Sequence, residues 1–232
     1  MIMRCLRKSL ELESLGETSP AMDKWRMKDD DTIKSLIASS PYKAIIFKPL
    51  MDSHRASELL ELTGNAAVIW MYRRYEDRAN SAVARFGNNN LDLMRAFSAG
   101  ERLDSWQAMG LTEEDFELVR GYDPSGMSPE SAAALFWYLR NTLYYKQDLD
   151  RQPTVLPLAY EDLVTDPEKT MRGICQFIGC EFTQSLISDI HSKSIGRRPS
   201  NLDDRIVSLC APMYERLRES QLRKWSSLQL PA

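Results

Sequence analysis

Residues that bind metals or carry redox chemistry are scarce in this chain. Among its 232 residues are two histidines, His54 and His191, and four cysteines, Cys5, Cys175, Cys180 and Cys210. No two cysteines stand as Cys-x-x-Cys, and two histidines cannot complete a zinc-ligand spacing, so a structural zinc site and a dithiol redox centre are both excluded. The cysteines are read as reduced thiols, which suits a cytoplasmic protein. No apolar run approaches the roughly 18 to 20 residues needed to cross a bilayer. The opening MIMRCLRKSLEL lacks a continuous apolar segment followed by a small-residue cleavage site, so it makes a poor signal peptide. Charge of one sign is missing too: 30 basic against 33 acidic residues leave a formal −3, and no global positive field would hold the chain on a nucleic acid. Gly-Lys-[Ser/Thr], the signature of a kinase-type nucleotide loop, occurs nowhere, which disfavours a relative of P-loop kinases.

What is present has the balance of a folded soluble protein, with 43% hydrophobic and 27% charged residues of mixed sign. The spacing of Met3, Leu6 and Leu10 predicts a first helix without a cap. A loop, LGETSPAMDKW, and a short helix, DDDTIKSLIAS, follow. AIIFK (44 to 48) reads as a strand stopped by Pro49, SHRASELLELT as a helix, AAVIWMY (66 to 72) as a fully buried strand and YEDRANSAVARF as the helix after it. Residues 88 to 150 show only helical spacing, with Ser128 as an N-cap, and are read as a helical insertion. TVLPLAY (154 to 160) returns to strand, and DPEKTMRGICQFIG is a helix with Pro167 in its first turn and Gly179 at its end. A polar tail (194 to 205) and two helical segments close the chain, so residues 194 to 232 form a terminal unit of one domain spanning 1 to 232. Alternating strands and helices indicate an α/β fold with a parallel sheet.

The stretch IWMYRRYEDRANSAV carries Arg73, Arg74 and Arg78, with Arg85 just beyond it. The strand AAVIWMY delivers Arg73 to its carboxyl end, the edge at which open α/β sheets hold ligands. A guanidinium fork with the hydroxyl of Ser81 suits a phosphate monoester. Spacing alone leaves a second reading open, in which these arginines form a solvated face paired with Glu76 and Asp77. Lys48 also stands at a strand's carboxyl end, where a cation could stabilise an oxygen on which charge develops.

YRRYEDRANSAVARF resembles the Arg-x-x-x-[Asp]-x-x-x-Ser pattern with which sulfotransferases bind the 3′-phosphate of 3′-phosphoadenosine 5′-phosphosulfate. VLPLAYEDLVTDPEKTMRGICQFIG resembles the strand, Tyr-Glu-Asp-Leu turn and Asp-Pro helix found later in that family, at a fitting separation. The resemblance implies a P-loop-NTPase-like three-layer fold, and sulfonate transfer from that nucleotide to a hydroxyl or amine of a small-molecule or carbohydrate acceptor, with no metal. It implies that Arg73 and Ser81 hold the 3′-phosphate, that Tyr160 lies near the adenine, and that Arg197 and Arg198 are possible nucleotide contacts from the tail. Glu161 and Asp162 are expected to organise the turn. Glu17 is the candidate general base, as a glutamate in the loop after the first helix of similar sulfotransferases, and Lys48 resembles the lysine of the family's strand end. The family also places a strand and a Gly/Ser/Thr-rich 5′-phosphosulfate loop before its first helix. The sequence is read as lacking both, which leaves a noncatalytic binding remnant of the fold as the alternative to an enzyme.

Overall fold

The computed structural model describes residues 1–190, 196 and 201–228. The first helix, α1 (Ile2–Leu6), is shorter than its apolar spacing predicts. Leu10, expected on its buried face, is 95% exposed, and the chain instead enters a strand, β1 (Leu12–Leu15), in which Leu12 is buried. A hairpin of β2 (Met22–Asp23) and β3 (Arg26–Met27) turns through Lys24 and Trp25, both at positive φ. Next comes α2 (Asp30–Ser39), started by Asp29, whose carboxylate accepts the Thr32 N–H at 2.9 Å. β4 (Ala44–Phe47) pairs in parallel with β1, Leu12 opposite Ala44 and Leu15 opposite Phe47. A 3₁₀ turn over Ser53–Arg55 leads into α3 (Ala56–Glu61), so His54 stands at a helix entry.

β5 (Val68–Tyr72) runs into α4 (Tyr75–Phe86), followed by α5 (Asn89–Ser98), α6 (Glu113–Gly121) and α7 (Pro129–Lys146). No strand lies between residues 88 and 150. α7 starts where its sequence says it should, with Ser128 Oγ accepting the Ser131 N–H at 3.1 Å and Pro129 in the first turn, where a missing N–H costs nothing. It is apolar nearly all round and buried accordingly, with Leu135, Leu139 and Leu143 at 0 to 1% exposure. Each such leucine contributes about 1.5–3 kcal/mol of burial. Around it stand α4, α5, α6, α10 (Asp204–Ser226) and the face of β5 that carries Val68, Trp70 and Tyr72.

β6 (Val155–Ala159) pairs in parallel with β5 and is buried throughout, as a strand covered on both faces should be. β5 itself is not fully buried as expected: Val68, Ile69 and Met71 keep partial exposure. Its side chains nevertheless alternate between two cores, since Ile69 and Met71 join a second cluster with Leu12, Leu158, Met171 and Ile174. That cluster lies under α1 and α9 (Pro167–Ile178), which Gly179 ends in the left-handed conformation at φ 72°. The two parallel ladders and the hairpin are separate two-stranded sheets among the described residues.

Two further expectations are corrected. Tyr160 is the first residue of a short helix, α8 (Tyr160–Thr165), not the last of a strand. The C-terminal segments form one helix, α10, which runs through Pro212 because Ile206, Cys210, Met213 and Leu217 bury a continuous stripe on both sides of the proline. Gly173 of α9 lies against Trp225 of this helix, for a Cβ there would fall 2.3 Å from the indole ring. The indole N–H of Trp225 donates to Pro157 O at 3.2 Å and ties the helix to β6.

Candidate functional site

Parallel strands end at one edge, and chain entering or leaving there is free to carry polar groups. At the carboxyl ends of β1 and β4 the structure brings together the two residues named for catalysis. Lys48 Nζ donates to Glu17 Oε1 at 2.6 Å across 31 residues of sequence, and both side chains remain accessible, at 47% and 32% exposure. An ion pair so exposed contributes only about 0–1 kcal/mol to stability. The fold therefore has little need of it.

The hairpin between these strands is fixed by Asp52, which is fully buried. Its carboxylate accepts Arg26 Nε at 3.2 Å and the Met27 N–H at 2.7 Å, so the chain after Lys48 grips the chain after Glu17. Beside it Arg140 donates to Ser53 Oγ and to the carbonyls of Gln107 and Met109. Burial pushes its guanidinium down to about 10.

At the carboxyl ends of β5 and β6 the Arg73 guanidinium lies over the Tyr160 ring, 4.8 Å from its centroid. Arg73 Nη2 stands 3.9 Å from Asp77 Oδ2, and the Gly196 N–H donates to both Asp77 oxygens at 3.2 Å, which lays one residue of the polar tail on this turn. Ser81 is exposed on α4, one turn beyond Asp77 on the same helix face. Arg197 and Arg198 lie outside the described residues.

The turn after β6 is held by the two acids expected to organise it, together with partners the sequence did not single out. Glu161 Oε1 accepts the Arg74 N–H at 3.0 Å, joining the start of α8 to the start of α4, and burial raises the Glu161 carboxyl above its ordinary range. Asp162 Oδ2 accepts Arg218 Nη1 and Gln221 Nε2, each at 2.6 Å. Gln221 Oε1 in turn accepts the Tyr72 hydroxyl at 2.6 Å and the Ala159 N–H at 2.9 Å. These contacts span 56 to 149 residues, so no local spacing announces them. The one available signal was the YEDL segment itself, whose acids were expected to order the turn. Among the described residues no group of three His, Cys, Asp or Glu is placed to hold a metal, and no helix is long and apolar enough to cross a membrane.

The model of the sulfotransferase domain family matches residues 8–227. The chain belongs to the sulfotransferase family. A crystal structure of a sulfotransferase from Alicyclobacillus acidocaldarius superposes with a TM-score of 0.54 at 15% identity, covering 99% of this chain and 93% of that one. A sulfotransferase domain from the curacin biosynthetic pathway aligns at 16% identity over 87% of this chain and 69% of its own, with a TM-score of 0.44. No curated protein sequence matches significantly. At such identity the first likeness speaks for the fold, which is the P-loop-like α/β arrangement the motifs imply.

Proposed function

We propose that the chain transfers a sulfonate group from 3′-phosphoadenosine 5′-phosphosulfate to a hydroxyl or amine acceptor. The reading is carried by one observation: Arg73 and Tyr160, the residues that two separate motifs assign to the nucleotide, lie against each other although 87 positions apart. In it Arg73 and Ser81 hold the 3′-phosphate, and Tyr160 presents its ring beside the adenine. Arg197 and Arg198 remain candidates for further nucleotide contacts.

Sulfonate transfer is an in-line displacement that depends on positioning and charge neutralisation, much as phosphoryl transfer does. The acceptor oxygen or nitrogen forms a bond to sulfur while the bond from sulfur to the bridging phosphate oxygen breaks, releasing 3′-phosphoadenosine 5′-phosphate. Glu17 takes the acceptor's proton, a role that typically contributes about 10² to 10⁴-fold. Lys48 places its ammonium where the bridging oxygen gains charge. Their hydrogen bond supports this pairing, since a base and a cation serving the two ends of one displacement must lie close together. In this reading residues 1 to 232 act as one domain, and the helical segment 88 to 150 shapes the acceptor pocket.

Calorimetry with 3′-phosphoadenosine 5′-phosphate tests the nucleotide site. Arg73→Ala is expected to weaken binding by roughly 2–4 kcal/mol, as loss of a bidentate charged contact should. Equal affinities would remove Arg73 from the site. A wild-type chain that does not bind the nucleotide would favour a noncatalytic remnant of the fold instead.

A further inference from the structure

Two cysteines five positions apart meet at the end of α9. Gly179 takes φ 72° and ψ 32° there, so its N–H donates to Gln176 O at 3.3 Å and the Cys180 N–H donates back to Cys175 O at 2.9 Å. The two bonds make a complete Schellman motif, in which the side chains at the positions held by Cys175 and Cys180 come into contact. Both join the core under α1 and α9, Cys175 inside it at 2% exposure and Cys180 partly exposed at its margin. The absence of Cys-x-x-Cys excluded a dithiol centre by spacing alone. The left-handed turn at Gly179 brings two thiols together over a longer spacing instead.

The Cys175 thiol donates to the Cys180 sulfur, which holds Cys180 below the ordinary thiol range and, with burial, raises Cys175 above it. Burial and the Glu11 charge oppose the lowering at Cys180, and Lys43 adds to it. Glu11 is itself engaged, accepting the Glu181 N–H at 2.5 Å and Lys43 Nζ at 3.4 Å. A peroxide-sensing cysteine is an accessible thiol with thiolate character, set beside a second thiol that can resolve it. Cys5 and Cys210 are buried at 1% and 0% exposure and offer no such access.

We propose that Cys175 and Cys180 form a reversible, peroxide-driven disulfide, in which Cys180 is attacked first and Cys175 resolves it. The Cys180 thiolate takes one oxygen of hydrogen peroxide as the O–O bond breaks, and hydroxide leaves and is protonated to water. Cys175 sulfur then displaces the sulfenic oxygen, an S–S bond forms, and the Cys175 proton departs with that oxygen as a second water. Two thiols are oxidised and one peroxide is reduced, and a thiol reductant reverses the change. Glu11 and Lys43 immediately precede β1 and β4, so the pair lies toward the edge opposite Glu17 and Lys48 and does not depend on the nucleotide reading. The alternative is packing alone, since an apolar contact between these two positions commonly accompanies the motif.

Treating the reduced full chain with hydrogen peroxide, then denaturing it, alkylating with iodoacetamide and digesting with trypsin, separates these cases. Cys175 and Cys180 fall in one tryptic peptide, residues 173 to 193. It should be recovered unalkylated and two hydrogens lighter, with the Cys5 and Cys210 peptides alkylated in full, and a thiol reductant should restore it. Unfolding in guanidinium before the peroxide should abolish this preference, because the turn supplies it. In Cys175→Ser the sulfenic acid should persist on Cys180 and be captured by dimedone, whereas in Cys180→Ser Cys175 should remain a thiol. Alkylation of both cysteines in peroxide-treated wild type, a link from either to Cys5, or the same preference in the unfolded chain would overturn the proposal. Dimedone capture at Cys175 in Cys180→Ser would do so as well. The wild-type result stands even where a variant fails to fold.

Discussion

Lys48 Nζ stands 2.6 Å from Glu17 Oε1, and the two arrive there from neighbouring parallel strands, Glu17 two residues after β1 and Lys48 directly after β4. Neither side chain is needed to cover a core, and Asp52 holds the two loops against each other at a different point. The carboxylate and the ammonium can therefore be altered with little effect on the fold.

Replacing Glu17 by Gln removes the proposed proton acceptor and keeps the shape. Turnover is expected to fall about 10² to 10⁴-fold, with nucleotide affinity and thermal stability nearly unchanged. Steady-state transfer kinetics beside calorimetry would check this. Unaltered turnover would exclude Glu17 as the base.

Gln221 joins α10 to the ends of both β5 and β6. Gln221→Leu leaves the buried Tyr72 hydroxyl and the Ala159 N–H without their acceptor. At about 1–3 kcal/mol for each unsatisfied group, the variant should lose roughly 2–5 kcal/mol of unfolding free energy. Tyr72→Phe removes one donor together with its hydroxyl and should cost less. Urea titration of both variants decides the matter, and equal losses would contradict the network.

His54 gives the molecule a pH response of definite sign. Burial, then the Arg140 charge, holds its imidazole below the ordinary value of 6.5, while Asp52 opposes them. The unfolded chain consequently binds a proton first as the solution is acidified. The histidine's contribution to stability is thus lost progressively as pH falls through 6.5 to its folded value, and is unaffected above that range. Arg26 and Arg55 add to the effect in the same direction. Relative to His54→Gln, wild type should lose stability between pH 7.5 and 5.5 in chemical denaturation. Parallel pH profiles would show that His54 titrates alike in both states.

Legibility followed the range of the interactions. α4, α7 and α9 were readable because a helix repeats its pattern over several turns and marks its ends with local groups, here Ser128, Pro167 and Gly179. β1 was not. Its four residues follow Met3, Leu6 and Leu10, whose spacing favours a helix, and only pairing with β4 makes LESL a strand. Two closing helices were expected, yet one forms, because burial of Ile206, Cys210, Met213 and Leu217 along one stripe outweighs the hydrogen bond that Pro212 forfeits.

By itself the sequence determined the family, through two motifs and their separation, and the strand-to-helix turn that carries Arg73 and most of the helices, which reside in the order of neighbouring side chains. Tertiary structure alone decided that Glu17 meets Lys48, that Arg73 meets Tyr160, that Gln221 meets Tyr72, and that Arg218 and Gln221 are the partners of Asp162. Those pairings join residues 31 to 149 positions apart. Chain separations of that size are closed by burial of the cores on both sides of the strands, a collective quantity that no single stretch of residues records.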